Sequence, residues 1–477
     1  MALETLPLLR NGEEYLSSDK KPMFSINGER LLDVSFAPEL HVQMAIPINK
    51  MRGYNLLQKL SIDDLISIYV EAGKIFFEDM DIQGVNTNID EWSELITLAT
   101  GMPITFVKNS MMLTKHFFQK SELKRFLEAN SPTGNIDIFD NNVDFRGSTM
   151  FGYSPRGRNV GIALPGNHPA VALLGLVVPL FKIPTIIRSS SSEPFMSYRL
   201  CKALWEAGIP SESLFHFVTD HSVVDSLLRK SDLGIVFGSE WTQDLYGDDS
   251  KIKVFGPGRS KVVVDFDKID SLSLDLALST AYESISADGG RGCINASGII
   301  YNTPNGYDNF ISNLAQKMSS SVPLDPLDPQ ATIPAMNINQ AKSLYAFIQS
   351  RISPEVNDIT SLCRGSKDFL SIQDDLAFLL PTLLEVKETS LVRNDEYPFA
   401  FGTIVKPHEY ESHELAKDSL SVSYLTDDPH KVKKYLIDPT IKKVFLNQLT
   451  FNVDLAAPHE GFYSDFLYQS KATNIKF

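Results

Sequence analysis

Cysteine is scarce in this chain: its 477 residues include three, Cys201, Cys293 and Cys363. Three thiols cannot all pair, and so low a content excludes a disulfide-stabilised scaffold. Their neighbours form no CxxC pair and no Cys/His cluster at the spacing of zinc ligands, so we expect no bound metal. The shortage also favours a reducing compartment, and we expect a cytoplasmic protein.

Positive charge and long apolar runs are also in short supply. Lys and Arg number 44 against 59 Asp and Glu, so the formal net charge is −15. Because a surface of this sign repels a polyphosphate backbone, we expect no nucleic acid partner, although a local pocket can still hold a single phosphate. The longest apolar run, residues 170–181, contains Pro179 and is too short to cross a bilayer, so we expect no membrane span.

What the sequence does contain is an alternation of strands and helices from residue 159 onward. We predict strands at 160–165, 185–188, 214–218 and 233–238, with helices from about 170, at 195–207 and at 222–229. Short connections between alternating elements predict a parallel, doubly wound α/β sheet, which is a nucleotide-binding architecture, although no GxGxxG fingerprint is present. A second α/β region follows from about 262.

Two patterns before residue 159 also predict structure. Residues 61–77 have the pattern of an amphipathic helix, with Ser61 as its N-cap. Residues 135–145 alternate apolar and polar side chains, which predicts strands.

Cys293 differs from the other two cysteines in its flank, Gly289-Gly-Arg-Gly-Cys. Glycines allow tight turns and the close approach of a ligand. Arg291 would help to lower the pKa of the thiol if it lay close by. A buried structural cysteine is the alternative interpretation, and we take Cys201 and Cys363 as ordinary packing or surface thiols.

Polar residues follow two of the predicted strands. Asn167, in the turn Pro165-Gly-Asn-His-Pro, can donate a hydrogen bond to a developing oxyanion, although turns favour Asn in any case. His168 beside it is either an acid–base group or a structural residue. Arg188, followed by four serines, suits a phosphate, with a plain polar loop as the alternative.

The order of these pieces resembles the aldehyde dehydrogenase superfamily. The series comprises the Asn turn, a basic residue with Ser and Glu-Pro, Ala-Gly-Ile-Pro, Gly-Ser, Gly-x-Gly-x-Ser and Gly-x-x-Cys. The resemblance is diffuse over residues 1–150 and specific over 155–300. It returns at Glu396-Tyr-Pro-Phe-Ala-Phe, at Val444-Phe-Leu-Asn and at Pro458-His-Glu-Gly.

The resemblance implies an aldehyde dehydrogenase-like α/β fold with two doubly wound domains and a small oligomerisation arm. It implies an NAD(P)-binding domain at 159–262, to which residues 1–120 contribute, and a catalytic domain at 263–440. Parts of 121–158 and 441–477 would form the arm, and we expect a homodimer or homotetramer.

The resemblance also implies roles for single residues. Cys293 would be the nucleophile, and Asn167 would hold the oxyanion together with the backbone N–H of Cys293. Glu396 would hold the nicotinamide ribose. The remaining cofactor contacts would come from Pro165, Arg188, Ser191, Gly238 and Ser239.

The cofactor preference depends on two of those residues. Arg188 replaces the Lys that usually contacts the adenosine ribose. Ser191 stands where many NAD-preferring members carry an acid for the ribose 2′-hydroxyl. Both changes make room for a 2′-phosphate, so we expect NADP(H) rather than NAD(H).

The main departure from the family pattern is Phe255, which stands near the position of the Glu that activates water in aldehyde-oxidising members. A phenyl ring cannot act as a base. Gly256-Pro-Gly also resembles the CoA-acylating branch, which includes the bioluminescence fatty acyl reductase. We therefore expect NAD(P)H-dependent reduction of an acyl thioester, on CoA or on an acyl carrier protein, to an aldehyde through acyl-Cys293. Glu283 is a candidate substitute base, with a solvated helical Glu as the alternative.

Three alternatives stay open. The first is an NAD(P)-dependent aldehyde dehydrogenase that oxidises an aldehyde to a carboxylic acid and has a relocated base. The second is a catalytically silent homologue that keeps a cofactor site. The third is an unrelated doubly wound domain in which Cys293 is structural.

Overall fold

The computed structural model describes residues 3–353, 356–451 and 454–473. Its α-helices are α1 Glu39–Ile48, α2 Tyr54–Leu57, α3 Ile62–Ile75, α4 Ile89–Thr100, α5 Ile104–Phe117, α6 Lys120–Asn130, α7 Ile138–Asn141, α8 Val171–Leu176, α9 Phe195–Glu206, α10 Ser222–Lys230, α11 Glu240–Tyr246, α12 Ser271–Ser286, α13 Tyr307–Ser319, α14 Ile338–Arg351, α15 Thr360–Arg364, α16 Ser412–Leu415, α17 Lys433–Leu436 and α18 Tyr463–Leu467. A π-helix at Asn49–Gly53 and 3-10 turns at Val178–Phe181, Ser211–Ser213, Ala287–Gly290, Leu391–Asn394 and Pro429–Val432 add to these.

The strands are distributed along the whole described chain. They are β1 Thr5–Leu6, β2 Leu8–Arg10, β3 Glu13–Tyr15, β4 Lys20–Phe24, β5 Arg30–Ser35, β6 Met80–Ile82, β7 Val85–Thr87, β8 Val143–Arg146, β9 Thr149–Pro155, β10 Val160–Ala163, β11 Thr185–Ser189, β12 Leu214–Val218, β13 Leu233–Phe237, β14 Ile252–Phe255, β15 Ser260–Val264, β16 Ala296–Tyr301, β17 Ala335–Met336, β18 Asn357–Asp358, β19 Leu370–Gln373, β20 Leu376–Leu379, β21 Thr382–Glu385, β22 Phe401–Val405, β23 Ser421–Leu425, β24 Lys443–Leu446 and β25 Tyr468–Ala472.

The first large sheet has the strand order β14-β13-β10-β11-β12-β2-β3. Strands β10 to β14 pair in parallel, and β2 adds antiparallel through Leu9 opposite His216. All residues of β10, β11 and β12 are buried, as expected when helices cover both faces of a parallel sheet. The predicted strands and helices of residues 160–238 are confirmed to within a few residues.

The second large sheet has the order β18-β21-β22-β16-β15-β23-β24. Its six strands β21, β22, β16, β15, β23 and β24 pair in parallel with their neighbours. Strand β18 pairs antiparallel with β21 at one edge. Lys443–Leu446, which is β24, forms the opposite edge of this sheet beside β23. Together the two sheets and their helices form the α/β aldehyde dehydrogenase-like fold that we expected.

A small antiparallel sheet joins β8, β9 and β25, with Tyr468 opposite Pro155 and Ala472 opposite Phe151. It brings together the two segments from which we expected the oligomerisation arm, and oligomerisation itself stays a prediction. The strand prediction was wrong over Ile138–Asn141, which is helix α7. Both Ile138 and Phe139 are buried, so the true pattern there is not an alternation.

The N-terminal helix prediction is confirmed as α3. The Ser61 hydroxyl accepts a hydrogen bond from the Asp64 N–H, and the Asp64 carboxylate accepts one from the Ser61 N–H. This capping box explains why the helix begins where it does. No helix among the described residues has the length and apolarity that crossing a membrane requires.

Candidate active site

A cleft of about 620 Å³ lies between the two large sheets. From the first sheet it receives the turns that follow β10 and β13, with Pro165, Asn167, Gly238 and Ser239. From the second sheet it receives residues that precede strands. Among the predicted site residues, Cys293 and Glu396 come from that side. Ligands of open α/β sheets bind beyond the carboxyl ends of the strands, and this cleft occupies that position of the first sheet.

Cys293 lies between the 3-10 turn Ala287–Gly290 and strand β16, and it is half-buried. The glycines before it are needed for the turn. Gly290 has a φ of 74°, and a Cβ there would lie 2.5 Å from the carbonyl of Phe399. A side chain would therefore displace the segment that carries Cys293.

The structure shows why the second glycine of Gly256-Pro-Gly, Gly258, cannot carry a side chain. A Cβ on Gly258 would stand 1.7 Å from the carbonyl oxygen of Cys293. The Ser260 hydroxyl donates to the same oxygen at 3.3 Å. The loop before β15 thus packs directly on the Cys293 backbone and fixes its position.

Asn167 lies in the same cleft as Cys293. Its amide Nδ2 donates to the carbonyl of Arg291 at 3.0 Å, and its buried Oδ1 has no partner among the described residues. An amide nitrogen carries two N–H groups, so a second donor is left after the bond to Arg291. This anchors Asn167 to the loop of Cys293 and leaves it able to stabilise negative charge.

The expected effect of Arg291 on the thiol is not found. The Arg291 Nη1 instead donates to the carbonyl of Thr100 at 2.7 Å. Burial raises the pKa of the Cys293 thiol to about 12, the charge of Glu396 acts in the same direction, and Lys443 opposes it. The thiol is therefore protonated at neutral pH and needs help to become a nucleophile.

Glu396 faces the cleft with its carboxylate already engaged. The Gly258 N–H donates to it at 3.0 Å, and the Arg259 N–H donates as well. Burial raises its pKa, and these hydrogen bonds and the charge of Lys261 oppose the change. A carboxylate has about four acceptor sites, so Glu396 keeps capacity for further donors such as hydroxyls.

A second cavity, of about 200 Å³, opens on the other side of Cys293. Its walls are mostly apolar and come from α5, α6, α8 and the segment after residue 450. The larger apolar lining side chains are Leu113, Phe126, Val171, Leu173, Leu174, Val177, Ile294, Phe451, Leu455 and Phe462. Sequence reasoning did not locate these walls, because they come from parts of the chain that are far apart.

Lys443 and His459 also line this cavity beside Cys293, and sequence reasoning missed both of them. The Lys443 Nζ lies 3.1 Å from the His459 Nδ1. His459 packs its ring against Phe255, with 5.5 Å between the ring centroids. The sequence signal that was available was the Pro458-His-Glu-Gly segment, to which no role had been given.

Arg188 and Ser191 lie away from the lining of either cavity. The Arg188 guanidinium donates to the carbonyl of Thr219 at 3.1 Å, and burial lowers its pKa to about 10. Ser191 is exposed in the loop after β11. A 2′-phosphate contact by this pair stays a prediction.

The surroundings of Glu283 and His168, the two other candidate acid–base groups, do not favour a catalytic role. Glu283 is exposed on α12 and lines neither cavity at Cys293, which favours the solvated interpretation. His168 lies 3.1 Å from the carboxylate of Asp288 through Nε2, while its Nδ1 accepts from the Ala170 N–H. Both ring nitrogens are thus occupied in holding the turn.

The carboxylates that line the two cavities in the described part of the chain all have partners. Their pairs are Glu240 with Arg259, Asp395 with Arg351, Asp288 with His168, Asp454 with Arg125, and Glu396 with the backbone of Gly258 and Arg259. No described carboxylate in these two linings is therefore left unengaged, whereas Glu460, whose charge also acts on the Cys293 thiol, lies outside both linings. The residues that the structure describes include no group of three or more His, Cys, Asp or Glu that could hold a metal ion.

The chain belongs to the aldehyde dehydrogenase family, whose model matches residues 82–462. This confirms the family that the sequence resemblance implied. The protein is therefore an oxidoreductase of the class that acts on aldehydes.

Individual relatives are more distant. A succinate-semialdehyde dehydrogenase [NADP(+)] of Deinococcus radiodurans is 25% identical over 315 residues, which cover 62% of this chain and 60% of that protein. An E. coli NADP-dependent enzyme superposes with a TM-score of 0.78 at 18% identity, covering 98% of this chain and 97% of the other. A P. syringae indole-3-acetaldehyde dehydrogenase gives 0.79 at 16% identity, covering 100% and 97%. These comparisons do not support placement in the CoA-acylating branch.

Proposed function

We propose that this protein oxidises an aldehyde with an apolar chain to a carboxylic acid, with NADP as the hydride acceptor and Cys293 as the nucleophile. One observation carries the proposal: Cys293 lies where a cleft at the strand ends, the more polar of the two spaces, meets an apolar cavity. A thiol between two such spaces can receive an aldehyde from one side and a cofactor from the other.

The residues of the cleft fit a nicotinamide cofactor. A Cβ on Gly238 would lie 2.1 Å from the Thr242 hydroxyl, so a bare backbone turn faces the cleft there, as a pyrophosphate requires. Glu396 retains acceptor sites for ribose hydroxyls. The preference for NADP rests on the sequence pattern at Arg188 and Ser191, which line neither cavity, and on the Deinococcus radiodurans relative, whose name specifies NADP. The cofactor, when bound, supplies the hydride acceptor.

The chain's own groups carry the remaining chemistry. The Cys293 thiolate attacks the aldehyde carbon, and the carbonyl oxygen becomes an oxyanion. The free N–H of Asn167 and the backbone N–H of Cys293 donate to that oxyanion. After loss of hydride the substrate is a thioester on Cys293, and water releases the carboxylic acid and returns the thiol.

The apolar walls indicate the kind of aldehyde. Leu113, Phe126 and Leu455 offer no hydrogen bond to a polar substrate. The basic residues in the lining are Lys443, His168 and His459; Lys443 and His459 contact each other beside Cys293, and His168 already contacts Asp288. An aliphatic or aromatic aldehyde therefore fits this cavity better than a second carboxylate does.

The test is turnover of an aldehyde series by the purified protein with NADP⁺ and without CoA, followed by NADPH absorbance. We expect activity that rises with apolar chain length and carboxylic acid as the product. A lack of NADPH formation with every aldehyde tried would reject the proposal.

A second candidate is the reduction of an acyl thioester, from acyl-CoA or an acyl carrier protein, to an aldehyde. The specific observation in its favour is that every described carboxylate lining the two cavities at Cys293 already has a partner, together with Phe255 in the wall of the cleft. Without a free base, hydrolysis of acyl-Cys293 is slow, and the thioester can exchange with another thiol or accept hydride.

The two candidates give opposite results in one paired assay. Acyl-CoA with NADPH should yield free CoA and aldehyde only if thioester reduction operates. Aldehyde oxidation that proceeds without CoA favours the first candidate, and strict dependence on CoA favours the second. Absence of both activities, with cofactor still bound, would support a catalytically silent homologue.

A further inference from the structure

The charges around the Cys293 thiol are mostly negative. Glu396 and Glu460 both disfavour the thiolate, and burial adds to their effect. Lys443 is the positive group that acts on the thiol in the opposite direction. A buried thiol in this setting is unreactive unless a cation compensates its charge.

Lys443 is placed for that role by the fold. It is the first residue of β24, at the edge of the second sheet, and it lines the apolar cavity together with Cys293. Burial lowers the pKa of Lys443, while Cys293 and Glu460 raise it. The amine and the thiol thus stabilise each other's charged forms.

His459 holds the amine in this position. Its Nδ1 lies 3.1 Å from the Lys443 Nζ, and an ammonium group can only donate, so the imidazole accepts. Burial, with the charges of Lys443 and Lys253, lowers the pKa of His459 to about 3, so the ring is neutral at physiological pH. The Phe255 ring packs against it and limits its rotation.

Other charged groups near this pair are accounted for. Lys253 donates to the carbonyl of Glu460 at 2.7 Å, and Lys442 donates to the carbonyl of Pro439 at 2.8 Å. Lys442 is exposed and adjacent in sequence to Lys443, yet it is absent from the lining of both cavities at Cys293. It therefore serves as a matched control.

We propose that Lys443, oriented by His459, is a positioning residue that supplies the positive charge needed to form the Cys293 thiolate. The thiol proton is lost to solvent, and no other bond changes in this step. The inference rests on the proposed function only in taking Cys293 as the nucleophile.

The experiment measures the second-order rate of iodoacetamide alkylation of Cys293 between pH 7 and 9, by mass spectrometry of its peptide. Below the pKa of the thiol, the thiolate fraction falls tenfold for each unit by which the pKa rises. A nearby opposite charge favours the charged form of a group and shifts its pKa by roughly 1–3 units. We therefore expect Lys443→Met to slow alkylation by at least about tenfold. Exposed Cys363 serves as the internal reference.

Three further variants make the result specific. Lys443→Arg keeps a permanent charge and should restore most of the rate. His459→Phe should slow alkylation less than Lys443→Met does, because the Lys443 charge remains but its amine no longer has the hydrogen bond to His459 that orients it. Lys442→Met should leave the rate unchanged. Thermal unfolding of each variant verifies that it is folded.

An unchanged rate in folded Lys443→Met would overturn the inference, and so would an equal loss in Lys442→Met. Alkylation needs no turnover, so this test is independent of the aldehyde assay. A slowed Lys443→Met in a protein that oxidises no aldehyde rejects the proposed function and keeps the inference. If Lys443→Met is alkylated at the wild-type rate while the wild-type protein oxidises aldehydes, the inference is rejected and the proposed function is kept.

Discussion

The two spaces on either side of Cys293 are built in different ways. The polar cleft is formed by short turns at the ends of strands, and its residues belong to compact motifs such as Pro165-Gly-Asn and Gly238-Ser. The apolar cavity is formed by side chains of helices α5, α6 and α8 and of the C-terminal region. The two spaces therefore depend on different parts of the chain, and a change of size on a helix face can alter the cavity without altering the strand-end turns.

The two large sheets also contribute from opposite ends of their strands. Asn167 and Gly238 follow strands of the first sheet, whereas Cys293 and Glu396 precede strands of the second. The site therefore lies where the carboxyl edge of one parallel sheet meets the amino edge of another. If the proposed function is right, variants at the meeting point should affect catalysis as a whole, and variants of the apolar side should affect the choice of substrate.

Removing the thiol at the meeting point should have the largest effect. We expect Cys293→Ala to abolish turnover of both aldehydes and acyl thioesters, because neither can form a bond to the protein. Binding of NADPH, measured by its fluorescence, should persist because the cleft is unchanged. Cys363→Ser, at an exposed position, is the control and should be fully active. Residual turnover in Cys293→Ala would place the nucleophile elsewhere.

The next effect concerns the oxyanion donor on the cleft side. Loss of one such donor lowers kcat by about 10²–10³-fold, and we expect this for Asn167→Ala. Steady-state kinetics should show the loss in kcat with a much smaller change in KM. A change confined to KM would mean that Asn167 merely shapes the cleft through its bond to Arg291.

A smaller effect should follow from filling the apolar cavity. Leu113→Trp places an indole ring in the wall in place of an isobutyl group. We expect kcat/KM for long aliphatic aldehydes to fall by roughly tenfold, because apolar contacts in a pocket contribute about 1–3 kcal/mol. Short aldehydes should be spared. Met112→Trp, at the neighbouring exposed position, is the matched control. Equal losses for short and long aldehydes would argue against this cavity as the substrate site.

The smallest effect should come from the loop after β11. A carboxylate at the exposed position of Ser191 would repel a 2′-phosphate, so Ser191→Glu should change the ratio of kcat/KM for NADP and NAD by about tenfold, or 1.4 kcal/mol, toward NAD. Ser191→Ala removes the hydroxyl without adding charge and should keep the wild-type ratio. An unchanged ratio in Ser191→Glu would separate cofactor choice from this loop.

The sequence by itself determined the local elements of this protein. Strands β10 to β13 follow from short runs of buried apolar residues, and α3 from its Ser61 cap, because each depends on neighbours in the chain. The family also followed from the order of local motifs. The run at 138–141 misled because the apolar and polar alternation does not correspond to burial there: the adjacent residues Ile138 and Phe139 are both buried on a short helix.

Only the tertiary structure decided how distant residues meet. Arg291 precedes Cys293 by two positions, yet its side chain reaches Thr100 instead. Lys443 lies 150 positions after Cys293 and shares its cavity, with His459 beside it. Contacts of this kind depend on strand register and on how helices pack against sheets, and the spacing of residues along a single chain does not contain that information.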